Sequence, residues 1–246
     1  MLVYIKQNFP AMQKNSWLPL LILALFLSSC SRYHDGARIE PIIDESRLRT
    51  IIIDPEGKQS VKILDTYEDS IRKILKDLRQ QNFKIFEIYS YTARNKTDNS
   101  KPSLHAYAAA IDINPGQNPY YNAVTKARLS GTNEEGYEDY FLNRNVIRPG
   151  MITERQIETF VKNGFTIWGG MWRQPMDYMH FQTTKAIAKI VAHLNSKEAK
   201  IFWNAYLKNP KKTSEDPFFA GDIDPDMYSL KDFLKKIEYI LKSVRG

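Results

Sequence analysis

His105 and His180 stand out in this sequence because each lies a short, defined distance from a carboxylate. The pairs are His105-x6-Asp112, within "SLHAYAAAIDI", and Asp177-x2-His180, within "DYMHF". Two neutral imidazoles and one carboxylate can bind zinc and leave a fourth position open, as a catalytic rather than a structural zinc requires. The small residues between His105 and Asp112 allow a tight loop that brings both side chains together. Asp177 and His180, three apart, can share one side of a turn. A carboxylate held just beyond the ligands can accept a proton from water acidified by the ion, to a pKa near ~7 in good sites. Arg94, just past the "FEIYSY" run, offers a fixed positive charge for a substrate carboxylate or a developing oxyanion. The chain has four histidines. His34 falls in a polar leader and His193 in a helix rich in Ala, Ile and Lys, so neither is expected to act. No His-Glu-x-x-His helix occurs, which excludes the commonest zinc-protease layout. An isolated His…Asp pair is more simply a satisfied core histidine beside a strand-edge carboxylate, so the rest of the chain has to decide.

The elements that must position these residues read as mixed helices and short strands without βαβ alternation, which argues an α+β fold in one domain. "RTIIID" (49–54) reads as a buried strand, and "VKIL" (61–64) as another or as the lead into a helix. From Asp65, an N-cap candidate, apolar residues at Tyr67, Ile71, Ile74, Leu75 and Leu78 make a helical stripe. "FKIFEIYS" (83–90) is rich in strand formers, and a polar loop then runs through Lys101. "AAAIDI" (108–113) is an interior strand candidate. A long segment punctuated by Asn, Pro and Gly follows, from Asn114 to about Gly150, and loops of that length are usually functional or ordered insertions. "TERQIETFVKNG" carries the Thr153/Gln156 capping-box pattern with Gly164 as its stop. "FTIW" (165–168) reads as a strand, and an irregular stretch re-enters a strand at His180. "TKAIAKIVAHLN" with its continuation, and the amphipathic "MYSLKDFLKKIEYILKSV" (227–244), read as closing helices.

A formal charge of +7 could suit nucleic acid, anionic lipid or an acidic polymer. The basic residues are scattered, and no nucleic-acid module signature is present, so no nucleic-acid partner is expected. The N-terminus is more specific. Lys6 and Lys14 precede an apolar "WLPLLILALFL" (17–27) that is too short for a confident membrane span. "LSSC" follows, ending in Cys30, the only cysteine. An aliphatic residue, two small residues and cysteine resemble a bacterial lipobox, which implies cleavage before Cys30 and its acylation. Several acyl chains at ~0.8 kcal/mol per methylene anchor stably, and a lone cysteine gives no disulfide framework. The expected organisation is a signal peptide over 1–29, a lipid-anchored tether over 30–46 and a catalytic domain over 47–208. A linker and amphipathic helix packed on the domain occupy 209–246. The expected location is the bacterial cell envelope, periplasmic or outer surface, as a membrane-anchored monomer.

"SLHAYAAAIDI" resembles the Ser-x-His-x-x-Gly-x-Ala-x-Asp motif of the zinc peptidases that comprise D-Ala-D-Ala carboxypeptidases and L-alanyl-D-glutamate endopeptidases. "DYMHF" resembles that family's second motif. "INPGQNPYYN", "NRNVIRPGMIT" and "GFTIWGGMWRQPMDYMHFQ" resemble its endopeptidase-like branch in order and spacing. The resemblance covers roughly residues 85–182. It implies a small antiparallel sheet flanked by helices, of the hedgehog/DD-peptidase type, and substrates among peptidoglycan stem peptides or muropeptides. It further implies Zn2+ held by His105, Asp112 and His180, with Asp177 as general base. Arg94 would contact substrate and stabilise the oxyanion, and Ser103 would give a hydrogen bond to the ligand set or to substrate. Trp168-Gly169-Gly170 would wall the cleft beneath the base-bearing loop, whereas the acidic "NEEGYED" (133–139) reads as a solvated turn. Tyr120, Tyr121 and Trp172 read as packing or cleft-lining aromatics.

Two departures stand out: Ala108 replaces the motif's glycine, and Met171 occupies the place of a common aspartate. Two rival readings are kept. One is a non-catalytic cell-wall-binding lipoprotein retaining the fold. The other is a structural-zinc or metal-storage lipoprotein, which would need a fourth protein ligand that the sequence does not offer.

Overall fold

A computed structural model describes residues 37–54, 56–96, 101–122, 127–130, 147–172 and 175–208. The expected signal segment, Cys30, the "NEEGYED" turn and the C-terminal linker and helix lie outside the described residues. No helix among the described residues is long and apolar enough to cross a membrane. The architecture is α+β, with small antiparallel sheets and four α-helices among the described residues.

Strands β1 (Leu48–Ile52) and β2 (Ser60–Leu64) form an antiparallel hairpin, so "VKIL" is strand rather than helix lead. Helix α1 (Glu68–Gln80) buries Ile71, Ile74, Leu75 and Leu78, the i, i+3, i+4, i+7 stripe expected of an amphipathic helix. Its outer face carries the i,i+4 pairs Glu68–Arg72 and Lys73–Asp77. Asp65, expected to cap this helix, has another role. It sits in a 3-10 turn and pairs with buried Arg47 at 3.2 Å. It also accepts a hydrogen bond from Ser196, so its lone pairs serve a buried junction rather than the helix N-terminus. Arg47 in turn donates to the carbonyls of Val191 and Leu194, which ties the start of the domain to that later segment.

The central sheet has the order β3 (Ile88–Tyr89), β4 (Ala110–Ile113), β9 (His180–Gln182), β7 (Ile167–Trp168), all antiparallel. A second sheet has the order β6 (Ala127–Ser130), β5 (Tyr120–Asn122), β8 (Met176–Asp177). β3 is shorter than the strand-rich run 83–90 suggests. The amides of Phe86 and Glu87 donate to the Asn114 side chain at 2.7 and 3.1 Å, which takes them out of any ladder.

Helix α2 (Glu154–Lys162) starts at the expected capping box, with the Thr153 amide donating to Gln156 Oε1 at 3.0 Å. It ends ahead of Gly164, whose φ is +94°. The expected continuation after "TKAIAKIVAHLN" is a separate element. Helix α3 (Lys185–His193) stops at extended Leu194. Helix α4 (Ser196–Lys208) then begins, with Asn195 Oδ1 accepting from the Glu198 amide at 3.0 Å.

The core lies between α1, α3 and α4 and the inner face of the central sheet. Tyr67 meets Trp203 edge-on at 4.8 Å, and Phe160 stacks on Phe181 at 3.9 Å. Strand alternation then decides which face holds chemistry. Ile111, Ile113 and Phe181 are fully buried on the core side, so Asp112, His180 and Gln182 lie on the opposite face. Backbone pairing starts ahead of the expected boundary at 47, because the Ile39 amide donates to Ala93 and the Asn95 amide to Ala37.

Candidate metal centre

His105 is placed by a short capped turn. The 3-10 segment Leu104–Tyr107 has Ser103 at its N-cap, and Ser103 Oγ accepts from the His105 amide at 3.3 Å. The Ser103 amide donates to the Arg94 carbonyl at 3.0 Å, which ties the Arg94 segment to the same turn. Ala108 ends the turn in the left-handed region, φ 49°, and its amide returns to the His105 carbonyl. The chain then enters β4, and Asp112 pairs directly across from His180 on β9. Directly opposed residues of an antiparallel pair hold their Cβ atoms about 4.5–5.5 Å apart. Register alone therefore brings these two together.

The donor atoms of His105, Asp112 and His180 all lie within 4.8 Å of one another. The imidazole rings are 5.1 Å apart and meet edge-on. His105 Nδ1 is 2.7 Å from the Ser90 carbonyl. A carbonyl oxygen only accepts, so Nδ1 carries the proton and Nε2 is turned inward. Nε2 lies 3.1 Å from Asp112 Oδ2 yet is buried without a hydrogen-bond partner among the described residues. On the other side His180 Nδ1 lies 2.8 Å from Asp112 Oδ1, while its Nε2 lies 2.8 Å from Gln182 Oε1. A proton or a cation must fill the space between each imidazole and the carboxylate. Two imidazole nitrogens and a carboxylate, each ring held at its outer nitrogen, suit zinc.

The charges agree with this arrangement. Burial acts to raise the Asp112 pKa, but the two histidines outweigh it and hold the carboxyl well below the usual range. Burial opposes charge on His180, yet its hydrogen bond to Asp112 and the charges of Asp112 and Asp177 push it up to about 9.

Asp177 arrives from the second sheet. β8 pairs with β5, placing Asp177 opposite Tyr120, and the Tyr178 amide donates to the Pro119 carbonyl. Its Oδ1 is buried and accepts no hydrogen bond among the described residues. Burial pushes its pKa up to about 7; His180 opposes the rise, Asp112 adds to it, and Arg94 and the Met179 amide lower it. The charge of Arg94 therefore reaches the same acid, although its guanidinium also contacts the Asn95 carbonyl at 3.4 Å. Gly169 lies beneath. A Cβ there would come within 2.5 Å of the Asp177 carbonyl oxygen and 2.8 Å of its Cβ, so only glycine allows this approach. Trp172 places its ring 5.3 Å from that of His180, and Met171 beside it is exposed.

Asn114 and Asn118 pin the segment that runs from β4 to β5 against residues 84–87 and 150–152, a role absent from the sequence reading. Asn118, fully buried, accepts from the Ile152 amide and donates to the carbonyls of Ile113, Asn114 and Gly150. Asn114 donates to Lys84 and Gly150. Gln182 was also missed as a partner of His180, although strand alternation puts residues 180 and 182 on one face.

A His-Asp-His set that could hold a metal, with a buried acid beside it and an α+β scaffold around it, is an arrangement of the kind metallohydrolases use. Residues 97–183 match the family model described as D-alanyl-D-alanine carboxypeptidase, a family of zinc peptidases. The match spans Ser103, His105, Asp112, Asp177 and His180, and Arg94 falls just outside it. It agrees with the resemblance carried by the "SLHAYAAAIDI" and "DYMHF" motifs and supports a peptidoglycan zinc peptidase. No curated protein and no solved structure matches the chain.

Proposed function

We propose that the protein is a lipid-anchored, zinc-dependent peptidase of the bacterial envelope that hydrolyses peptidoglycan stem peptides. The observation that carries this reading is the pair of inward-facing imidazole nitrogens on either side of Asp112, with Asp177 Oδ1 buried and without a hydrogen bond among the described residues. His105, Asp112 and His180 hold the ion, which when bound supplies Lewis acidity for water and for the scissile carbonyl. Asp177 takes the proton from the attacking water. A carboxyl raised toward neutrality is suited to hold that proton and then pass it to the leaving amine. Arg94 faces the developing oxyanion with fixed charge. Ser103 keeps the His105 turn in place by capping it. Cys30 carries the lipid, and the domain works as a monomer at the envelope surface.

The endopeptidase-like spacing of the motifs favours internal cleavage, such as the L-Ala–D-Glu bond. The description of the matching family favours the terminal D-Ala–D-Ala bond instead. One experiment separates them: digestion of purified peptidoglycan by the zinc-supplemented protein, read by mass spectrometry beside Asp177→Ala. A defined fragment lost in the variant identifies the bond and the base together. Intact peptidoglycan with stoichiometric zinc would sink the hydrolase reading in favour of a wall-binding lipoprotein. Labelled fatty acid incorporated by the parent and lost in Cys30→Ala would establish the anchor, and no incorporation by the parent would remove it.

A further inference from the structure

We propose that Gln182 is a positioning residue that determines which nitrogen of His180 is presented to a metal. The inference rests on the zinc-peptidase reading of the same residues. The two histidines of the set are held by unlike devices. His105 meets a backbone carbonyl, Ser90, at Nδ1 and so presents Nε2. His180 meets a side-chain oxygen, Gln182 Oε1, at Nε2 and so presents Nδ1. Backbone cannot be changed by substitution, whereas a glutamine can, so the His180 arm is the adjustable one.

The placement of Gln182 follows from its strand. It pairs with Ala110 on one side and with Ile167 on the other, so two neighbouring strands fix its backbone. Phe181, between the two polar residues, is fully buried in the core, which commits residues 180 and 182 to the site face. The Gln182 side-chain oxygen only accepts, and thereby keeps a proton on Nε2, so that Nδ1 is the nitrogen that can exchange its proton toward Asp112 for a metal. The opposite amide orientation would donate to Nε2, force the proton onto Nδ1, and set a proton where the metal must bind. Acceptors on the outer nitrogen of a ligating histidine fix its tautomer and orientation, and their loss typically costs ~10–100-fold in metal affinity.

The test compares the full chain with Gln182→Leu, which removes the acceptor, and Gln182→Glu, which can only accept. Zinc affinity is read by competition with a chromogenic chelator. The protonated nitrogen of His180 is read by proton–nitrogen NMR of histidine-labelled, zinc-loaded protein. Expected are a proton on His180 Nε2 in the parent, a ~10–100-fold loss of zinc affinity in Gln182→Leu, and parental or tighter affinity in Gln182→Glu. Gln182→Leu binding zinc as tightly as the parent, with an unchanged His180 signal, would overturn the inference and leave the proposed function standing. A parent that takes up no zinc would sink both. If Gln182→Leu fails to fold, Gln182→Glu decides: retained affinity with the proton on Nε2 supports the role, and a loss of affinity overturns it.

Discussion

The two sheets that meet at the site treat their polar side chains differently. On the side of the central sheet and the turn that leads into it, each histidine has an acceptor at its outer nitrogen, and Asp112 lies between both inner ones. On the second sheet Asp177 is held through its backbone, by β5, the neighbouring Tyr178–Pro119 hydrogen bond and the close approach of Gly169, while its Oδ1 has no hydrogen bond among the described residues. A buried polar atom without a hydrogen bond is costly, and native structures rarely keep one without a use. The His105–Asp112–His180 side therefore fixes its side chains, an arrangement that would favour metal affinity. The Asp177 side fixes the backbone and leaves one carboxylate oxygen open, while the Met179 amide meets the carboxylate.

Substitutions on the two sides should break different quantities. The largest effect is expected from His180→Ala, which removes a ligand. Zinc affinity should fall by more than the ~10–100-fold typical of losing an outer partner, and hydrolysis should become undetectable. Chelator competition and product analysis check both, and a variant that keeps parental zinc binding would disprove the assigned site. Asp177→Asn should do the reverse, retaining zinc while the rate of hydrolysis falls ~10²–10⁴-fold, the usual contribution of a positioned base. If zinc were lost in step with activity, the division between the two sheets would collapse.

Asn118→Ala tests the joint between them. It removes the side-chain acceptor of the Ile152 amide and the side-chain donor to the Ile113 carbonyl, whereas the Gly150 and Asn114 carbonyls keep Asn114 Nδ2 and the Gln117 amide. Each buried group left unpaired costs roughly 1–3 kcal/mol. The melting temperature should drop. Because β5 guides β8, turnover should drop too, by up to ~10²-fold for a shift of about 1 Å at the base. Zinc affinity should stay near parental. A loss confined to stability, with turnover per folded molecule intact, would show that the asparagines hold the fold without aligning the acid.

The clustering of His105, Asp112 and His180 was legible in the sequence because its parts are local. His105 and Asp112 share one motif, Asp177 and His180 another, and strand alternation carries the remaining inference to which face they share. The segment after Asn114 read as a long loop or ordered insertion, but it contains β5 and β6, and its base was not foreseen because Asn118 reaches Gly150 and Ile152, which are far away in sequence. Asp65 misled for a related reason. An acid before an apolar helical stripe looks like a cap, and nothing nearby in sequence reveals that Arg47 and Ser196 have claimed it. The Gln182 contact needed only the period of two, yet a glutamine at a strand end carries no signal of its own.

Acidity gives the next test. Without metal, Asp177 holds its proton more tightly folded, up to about 7, than at its ordinary 3.8. Its effect therefore reduces stability as pH rises from the ordinary value through about 7. His180 is raised from 6.5 to about 9, so its stabilisation is complete below 6.5 and lost as pH climbs through about 9. Both changes have the same sign. The metal-free protein should melt progressively lower from pH 6 to pH 9, at ~2–4 °C for each kcal/mol lost. Zinc should restore more stability at the alkaline end, because it takes the place of the protons. Metal-free Asp177→Asn should melt above the parent beyond pH 7. A flat profile for the parent would mean that these groups titrate as they do in the unfolded chain.

The smallest expected effect separates two opposing contributions at Ala108, which closes the His105 turn in the left-handed region where the motif usually has glycine. A non-glycine residue there costs about 1 kcal/mol in backbone conformation. The same residue is only 1% exposed and packs in the core, so its methyl is a buried carbon worth about 0.8 kcal/mol. Strain and burial thus nearly cancel, which is how alanine is tolerated at a position that favours glycine. Ala108→Gly should change stability by no more than about 0.5 kcal/mol, with zinc affinity unchanged, as chemical denaturation and chelator competition would show. Stabilisation by a full 1 kcal/mol or more would mean that the methyl contributes no packing. Weakened zinc binding would mean that the stiffness of alanine, rather than the hydrogen bonds around the turn, keeps His105 in place.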